Sequence, residues 1–198
     1  MYWYEDEVKR LENDRGKLGY EPETIFYGSS SMRLWNTLYD DFKDIKPVNL
    51  GFGGSTLAAC VWFFERLMRP YNPKRIIIYA GDNDLGDGRH PEELLIFFQE
   101  LMVRMEKRFN GLPCYFISLK PSPSRRNMVD QYLYANNLIE NEIVKYDGNW
   151  RFINVSKHMI DAAGKPKIEY FVKDGLHLSP KGYELWKGII NNYITANH

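Results

Sequence analysis

The sequence predicts a three-layer α/β/α domain, doubly wound around a five-stranded, mostly parallel sheet. Strand-like and helix-like segments alternate five times along the 198 residues, a pattern typical of parallel sheets with helices on both faces. The strand-like segments are continuous apolar runs, as expected of strands that are covered on both sides. No linker, internal repeat or low-complexity stretch interrupts the chain, so we expect residues 1–198 to form a single domain of flavodoxin-like type.

The first 22 residues are predicted to be an N-terminal extension. Glu5 to Leu18 is charged with sparse apolar positions, which indicates a surface helix that packs loosely on the domain. Gly19 and Pro22 end this helix, because neither residue favours a helix interior.

The five strands are predicted from β-branched and aromatic runs bounded by turn residues. They are Thr24–Tyr27, Val48–Phe52, Arg75–Ala80, Cys114–Leu119 and Phe152–Val155. The intervening helices are predicted from apolar residues at helical spacing. They are a segment that includes Met32 to Leu38, then Leu57–Met68, Glu92–Phe109, Met128–Tyr146, and a last helix opened by Ser179 and Pro180. Residues 81–90 and 120–126 are predicted to be polar loops that follow the third and fourth strands.

Composition and charge narrow the classes of function. The 26 basic and 26 acidic residues cancel, which argues against a dedicated nucleic-acid binder. No apolar run approaches the roughly 20 residues that a membrane-spanning helix needs, and the first residues do not resemble a signal peptide. Two cysteines, Cys60 and Cys114, are predicted to be buried free thiols. We therefore expect a cytoplasmic protein, although a leader removed before Met1 is compatible with the sequence.

Three serines, Ser29 to Ser31, follow the first strand and precede a helix. A serine at such a turn lies at the carboxyl edge of the sheet, where open α/β sheets bind ligands. The amides at the start of the helix favour a developing negative charge there. The alternative is that these serines only cap the helix, a common role for serine.

Two further strand ends carry groups that an acyl-transfer reaction needs. Gly54 lies in a glycine-rich turn after the second strand and could offer a backbone N–H. Asn83 follows the third strand and could offer a side-chain N–H. Both groups are candidates for an oxyanion hole, but glycines and Asn-Asp pairs also form ordinary turns.

The segment from Asp174 to His177 supplies a candidate base. An aspartate three residues before a histidine can turn back to hold the Nδ1–H, leaving Nε2 free for a serine hydroxyl. His90, His158 and His198 have weaker claims to this role. No cluster of histidine, cysteine and acidic residues has the spacing of metal ligands, so we expect neither a metal nor another cofactor.

Taken together, four blocks of the sequence resemble the SGNH (GDSL-type) hydrolase family. The blocks are Gly28-Ser29-Ser30, Asn49 to Ser55, Gly81 to Asp84, and Asp174 to His177, and they occur in the family's order. The resemblance implies a serine esterase without a cofactor. Ser30 would be the nucleophile, His177 the base and Asp174 its partner, with an oxyanion hole formed by Ser30, Gly54 and Asn83.

The match departs from the family at Ser29, where an aspartate usually precedes the nucleophile. Because that aspartate is not the triad acid, the chemistry need not be lost. The run of serines also allows Ser29 or Ser31 to be argued as the nucleophile, although Ser30 keeps the family's spacing from Gly28.

The resemblance implies hydrolysis of small acyl esters, such as acetyl esters, of carbohydrates or lipids. Arg89, Arg125 and Arg126 lie in loops that flank the predicted site and are candidates for binding an acidic group of a small-molecule substrate, or are simply solvated charges.

Two other functions are weighed against the esterase. The glycine-rich turn from Gly51 resembles a dinucleotide-binding loop, but Thr56 replaces its third glycine and the turn follows the second strand instead of the first. A non-catalytic relative that binds an ester or glycan is the other alternative, and the retained catalytic groups argue against it. The aromatic residues Tyr2, Trp3 and Tyr4 suit either packing on the domain or self-association, so a homo-oligomer stays open.

Overall fold

In the computed structural model, five parallel strands form one sheet in the order β2-β1-β3-β4-β5. The strands are β1 (Thr24–Gly28), β2 (Pro47–Gly51), β3 (Arg75–Tyr79), β4 (Cys114–Ile117) and β5 (Trp150–Ile153). The structure describes residues 1–146 and 148–196, and His198 lies outside this range. The chain winds in one direction from β1 to β2 and in the other from β3 onward. Loops that follow β1 and β3 therefore meet at the switch point, where open sheets place their ligands.

Helices connect the strands and cover the sheet. They are α1 (Glu5–Asp14), α2 (Ser30–Arg33), α3 (Leu38–Asp41), α4 (Leu57–Met68), α5 (Asp82–Gly86), α6 (Pro91–Phe109), α7 (Val129–Tyr146), α8 (Ser156–Met159) and α9 (Pro180–Ala196). The predicted single α/β domain with a five-stranded parallel sheet is confirmed, and every predicted strand lies within three residues of its observed position.

The local predictions fail where short helices are concerned. The helix expected after the serines is two pieces, α2 and α3, because the chain turns between them at Trp35. The Trp35 side chain lies in the core and is only 2 % exposed. The polar loop expected at residues 81–90 begins with the short helix α5. The helices α2, α3 and α5 each span less than two full turns, so the spacing of apolar residues in the sequence does not locate their ends.

The expectation that the N-terminal helix packs loosely is wrong. Tyr4, Val8 and Leu11 are all buried and belong to the main hydrophobic core. Their spacing of four and three residues places them on one face of the helix. The Tyr4 ring packs edge-on against the rings of Phe52 and Phe63, so a few apolar residues suffice to dock α1 firmly.

The outer edge of β2 is closed by side chains. Among the backbone groups of β2 that face away from β1, the Pro47 carbonyl accepts a hydrogen bond from the Tyr20 hydroxyl over 2.6 Å. The Asn49 N–H donates to the Tyr39 hydroxyl over 3.3 Å. The Gly51 N–H donates to the Asn49 side chain over 2.9 Å, and its carbonyl accepts from Arg10 over 3.3 Å. Tyrosine, arginine and asparagine side chains thus take the place of a sixth strand.

The two cysteines are free and buried, as predicted. Burial raises the pKa of both thiols, so they stay protonated and unreactive. Within residues 1–146 and 148–196, no helix is both long and apolar enough to cross a membrane.

Candidate active site

The serine turn after β1 leaves one hydroxyl accessible. Ser29 is fully buried and Ser31 is 1 % exposed, whereas Ser30 is partly exposed at the first position of α2. Gly28, with φ of +139°, precedes them, and a Cβ there would lie 1.8 Å from the Tyr79 carbonyl oxygen. Only glycine allows β1 to approach β3 this closely and turn into α2.

The Ser30 N–H has no hydrogen-bond acceptor among the described residues. Like other N–H groups in the first turn of a helix, it has no partner within the helix. It is therefore available to an anion at the start of α2.

The second turn presents another free amide. The Ser55 N–H donates to the Phe52 carbonyl over 3.3 Å, closing a turn with Gly53 and Gly54 at its centre. Gly54 has φ of +70°, which the third position of a type II turn requires. In the described chain the Gly54 N–H has no recorded acceptor, and Gly54 is exposed. The Phe52 N–H donates to the Gly28 carbonyl over 2.9 Å, which joins this turn to the serine turn.

The third turn fixes the orientation of the Asn83 amide. Its Nδ2 donates to the Ser55 carbonyl over 3.1 Å, and its Oδ1 accepts from Arg125 Nη2 over 3.3 Å. With both partners in place, the amide cannot flip without losing both bonds. One of the two Nδ2 hydrogens remains for a ligand at the sheet edge.

His177 is held by Asp174. Its Nδ1 lies 2.7 Å from Asp174 Oδ2, and its backbone N–H donates to Asp174 Oδ1 over 3.0 Å. The hydrogen bond from His177 and those from the backbone lower the pKa of Asp174 to about 2 against the opposing effect of burial. An ionised Asp174 selects the tautomer with hydrogen on Nδ1, which leaves Nε2 as an acceptor.

Two contacts bring the histidine loop to the edge of the sheet that carries the serines. The Ser124 N–H donates to the Gly175 carbonyl over 3.0 Å. The Tyr183 hydroxyl, on α9 just after the histidine, donates to the Ser31 carbonyl over 3.0 Å. Among the described residues no direct hydrogen bond joins Ser30 Oγ to His177. The His177 side chain is 31 % exposed and the Asp174 side chain 48 %, which makes the site shallow.

A buried ion pair lies beneath the site, and the sequence did not reveal it. Lys120 Nζ lies 3.3 Å from Asp82 Oδ2 and 3.3 Å from the Tyr79 hydroxyl. Lys120 is 1 % exposed and Asp82 is 3 %. Burial lowers the pKa of Lys120, and the Asp82 carboxylate opposes that change. The Ser29 hydroxyl donates to Asp82 Oδ1 over 3.5 Å, so this pair also supports the serine turn.

The three predicted substrate-binding arginines have different surroundings. Arg89 pairs with the buried carboxylate of Asp84 over 2.8 Å. Arg125 is directed into the protein, where its Nη1 donates to the Asp82 carbonyl over 2.7 Å and to the Tyr132 hydroxyl over 3.2 Å. Arg126 is exposed. Of the three, Arg125 alone has a hydrogen bond to a predicted site residue.

Asp84 connects the turn after β3 to the start of α4. Its Oδ2 accepts from the Leu57 N–H over 2.7 Å, at the start of α4. Burial raises the pKa of Asp84 to about 6, although the hydrogen bond from Leu57 and the charge of Arg89 act in the opposite direction. This carboxylate ties the turn after β3 to the helix that follows the Gly54 turn.

A cavity of about 540 Å³ is lined by residues from the segments that carry Ser30 and His177, although the predicted site residues themselves do not line it. Its walls include Leu34, whose N–H donates to the Ser30 carbonyl over 2.8 Å, and Val172, whose N–H donates to the His177 carbonyl over 2.9 Å. Leu178 and Tyr183 complete its apolar side. Volumes of this order suit small-molecule ligands.

Comparison with known proteins gives the same fold. The family model of the GDSL-like lipase/acylhydrolase family matches residues 19–185 of this chain. No curated protein matches the chain. Among solved structures, a Streptococcus pneumonia protein whose description refers to platelet activating factor superimposes with a TM-score of 0.85 at 20% identity, covering 96% of this chain and 92% of that one.

Two other solved structures are also similar. A GDSL-like lipase from Bacteroides thetaiotaomicron has a TM-score of 0.80 at 20% identity, with 96% of this chain and 98% of that chain covered. An acetyl xylan esterase has a TM-score of 0.70 at 16% identity, with 86% and 98% covered. At these identities the likeness concerns the fold.

Proposed function

This chain belongs to the GDSL-like lipase/acylhydrolase family, whose members are ester hydrolases, and we propose that it hydrolyses esters of small acyl groups with Ser30 as nucleophile. One observation carries the proposal above the others: Asp174 holds Nδ1 of His177 at 2.7 Å at the edge where Ser30 has the only accessible hydroxyl of the serine turn. A nucleophile beside an oriented base is the arrangement that covalent acyl transfer requires.

In the proposed reaction, His177 Nε2 takes the hydroxyl proton of Ser30 as Oγ attacks the ester carbonyl. The tetrahedral intermediate collapses when His177 returns that proton to the departing alcohol, leaving an acyl group on Ser30. Water then attacks the acyl-enzyme with His177 again as base, and the acid is released. Asp174 stays ionised throughout and stabilises the imidazolium as it forms.

Three N–H groups are proposed to hold the oxyanion. They are the backbone amides of Ser30 and Gly54 and the free Nδ2 hydrogen of Asn83. The two backbone N–H groups have no acceptor in the described chain. The Asn83 amide already has partners for its oxygen and for its other Nδ2 hydrogen. Donors fixed before the reaction need no reorganisation when charge develops, which is the source of their large effect on rate.

We propose an acetyl-like acyl group on a carbohydrate or a similar small alcohol. The side chains of His177 and Asp174 are 31 % and 48 % exposed, so the site is shallow and leaves space for an alcohol group of sugar size. The similarity in fold to an acetyl xylan esterase is consistent with this choice. Arg126, exposed near the Asp174 loop, is the remaining candidate to contact an acidic substituent.

The test is a panel of esters that varies the acyl chain from two to eight carbons and the alcohol from nitrophenol to acetylated sugars. We expect the highest kcat/KM for acetyl esters, and loss of turnover in Ser30→Ala. Unchanged turnover in Ser30→Ala would refute the nucleophile, and a preference for long acyl chains would refute the substrate class.

The alternatives are separated from the esterase by simple measurements. A dinucleotide site is disfavoured because the Gly53 N–H donates to the Glu7 carboxylate over 3.3 Å, and that negative charge would repel a pyrophosphate. Titration with a nicotinamide cofactor tests it directly. A non-catalytic binder would not react with a fluorophosphonate, whereas the proposed esterase is labelled at Ser30.

A further inference from the structure

Two residues at the start of the chain, one just before α1 and one within it, form hydrogen bonds with the Gly54 turn. The Tyr4 hydroxyl, just before α1, donates to the Gly54 carbonyl over 3.0 Å. Glu7 Oε2 accepts from the Gly53 N–H over 3.3 Å. These residues lie outside residues 19–185, the part of the chain that matches the family model.

These two hydrogen bonds hold the peptide groups on either side of the Gly53–Gly54 peptide, whose N–H is the proposed oxyanion donor. Glu7 binds the peptide that joins Phe52 to Gly53, and Tyr4 binds the peptide that joins Gly54 to Ser55. The peptide between them carries the Gly54 N–H, which in the described chain has no acceptor. Its direction is therefore set by neighbours that are fixed from outside the turn.

Glu7 also reaches the helix that carries the serine. Arg33, the last residue of α2, places Nε 2.6 Å from Glu7 Oε2 and donates from Nη2 to Glu7 Oε1 over 3.1 Å. The Glu7 side chain is only 26 % exposed. One carboxylate thus links the Gly54 turn to α2, which begins at Ser30.

Glycine makes this outside support necessary. The turn contains consecutive glycines, Gly53 and Gly54, and no heavy atom lies within 4 Å of where a Cβ of Gly54 would be. Glycine has more backbone conformations available than other residues. Without external contacts the turn would sample several directions of the Gly54 N–H, and a mobile donor stabilises an oxyanion less well than a fixed one.

We propose that Tyr4 and Glu7 are positioning residues that orient the Gly54 amide as an oxyanion donor, a role that rests on the proposed esterase function. The N-terminal extension is then a working part of the site. It acts through backbone geometry and does not touch the substrate.

The test compares two tyrosines that make the same kind of bond. Tyr4→Phe removes the hydroxyl but keeps the ring that packs on Phe52 and Phe63. Tyr20→Phe is the matched control, because the Tyr20 hydroxyl also donates to a backbone carbonyl, that of Pro47, away from the turn. We expect Tyr4→Phe to lower kcat by about 5- to 20-fold with KM unchanged, a fraction of what losing an oxyanion donor costs. Tyr20→Phe should stay within about twofold of wild type.

A second pair of variants tests the carboxylate. Glu7→Ala should lower kcat as well, whereas Glu12→Ala on the same helix, which removes an ion pair with Arg66 at 2.9 Å, should not. Urea unfolding of all four variants checks that the losses of kcat do not follow the losses of stability. Wild-type kcat in Tyr4→Phe, or an equal loss in Tyr20→Phe, would overturn the proposal.

A readout that does not depend on turnover separates this inference from the proposed function. Nitrogen-15 relaxation of Gly53 and Gly54 reports the order of the turn on the nanosecond scale. We expect their order parameters to fall in Tyr4→Phe and to stay at the wild-type level in Tyr20→Phe. Unchanged order in Tyr4→Phe would refute the positioning role even if the protein hydrolyses no ester. If order falls as expected but Ser30 takes no fluorophosphonate, the esterase proposal fails and the structural part stands.

Discussion

The guanidinium of Arg125 donates from Nη2 to Oδ1 of Asn83 over 3.3 Å. This contact joins two loops that follow different strands, and it fixes which end of the amide faces the Ser55 carbonyl. The same guanidinium binds the carbonyl of Asp82, so the backbone of the third turn is held as well. A positive charge thereby lies next to a proposed oxyanion donor.

Replacing Arg125 should affect the chemical step. In Arg125→Met the Asn83 amide loses its orienting partner, and we expect kcat to fall about tenfold, somewhat less than the cost of removing an oxyanion donor. Steady-state kinetics with an acetyl ester measures this, and Arg69→Met, at an exposed position after α4 with no proposed role in the site, is the control. If Arg125 instead binds an acidic substrate group, KM should rise while kcat stays constant.

The three serines are expected to respond differently to alanine. Ser30→Ala should lower kcat by at least about a thousandfold, as loss of a catalytic nucleophile does in other serine hydrolases. Ser29→Ala removes only the long hydrogen bond to Asp82 and should keep most activity. Ser31→Ala should be neutral or slightly stabilising, because the buried Ser31 Oγ has no partner in the described chain. Activity lost in Ser31→Ala and kept in Ser30→Ala would move the nucleophile by one residue.

Asp174 should add no acid limb of its own to the pH dependence of activity. The pKa of Asp174 is lowered to about 2, chiefly by its hydrogen bond from His177, so its carboxylate remains ionised as the pH falls. The stability that this ionised form contributes is fully present above the ordinary carboxyl pKa and is lost progressively as the pH falls from there through about 2. Histidine side chains in general take up a proton near pH 6.5.

We therefore expect kcat/KM to fall as protonation of the base removes its acceptor nitrogen, with no limb from Asp174 above pH 4. A slope of two in this range would show that a second group must lose a proton. A profile without any fall between pH 7 and pH 5 would contradict His177 as the base.

The buried ion pair predicts a large stability change. Lys120→Met leaves the Asp82 carboxylate buried without its cation, and breaking such a pair costs about 3–5 kcal/mol in the free energy of unfolding. Lys120→Met combined with Asp82→Asn removes both charges and should recover much of that loss. Urea denaturation of the two variants is the measurement. Equal stability of both would mean that the buried charge is compensated by another group.

The parts of the fold that the sequence predicts are those with local signals. The run Ile76–Ile78 identifies β3 because a buried parallel strand has no polar face. Ser30, Asn83 and His177 are proposed as site residues from short motifs, each at a strand end or beside an acidic residue. The position of α2 is predicted from the same local pattern, but its early end at Arg33 is not.

The supporting contacts have no local signal. Tyr4 and Gly54 are 50 residues apart, and Lys120 and Asp82 are 38 apart. From the sequence alone, a lysine after a strand is interpreted as an exposed charge. Only the folded structure shows that Lys120 is buried. The contact of α1 with the Gly54 turn is polar. The spacing of apolar residues in the sequence therefore gives no sign of it.

The side chains that close the outer edge of β2 affect how this protein can associate. An open edge strand offers a template on which another chain can add a strand, and such additions lead to swapped dimers and fibrils. Here a partner strand would first have to displace Tyr20, Tyr39 and Arg10 from their bonds. Assemblies built by extending the sheet at β2 are thereby discouraged. Side-chain surfaces such as Tyr2 and Trp3, which are 89% and 74% exposed, offer contact between copies that does not use this edge.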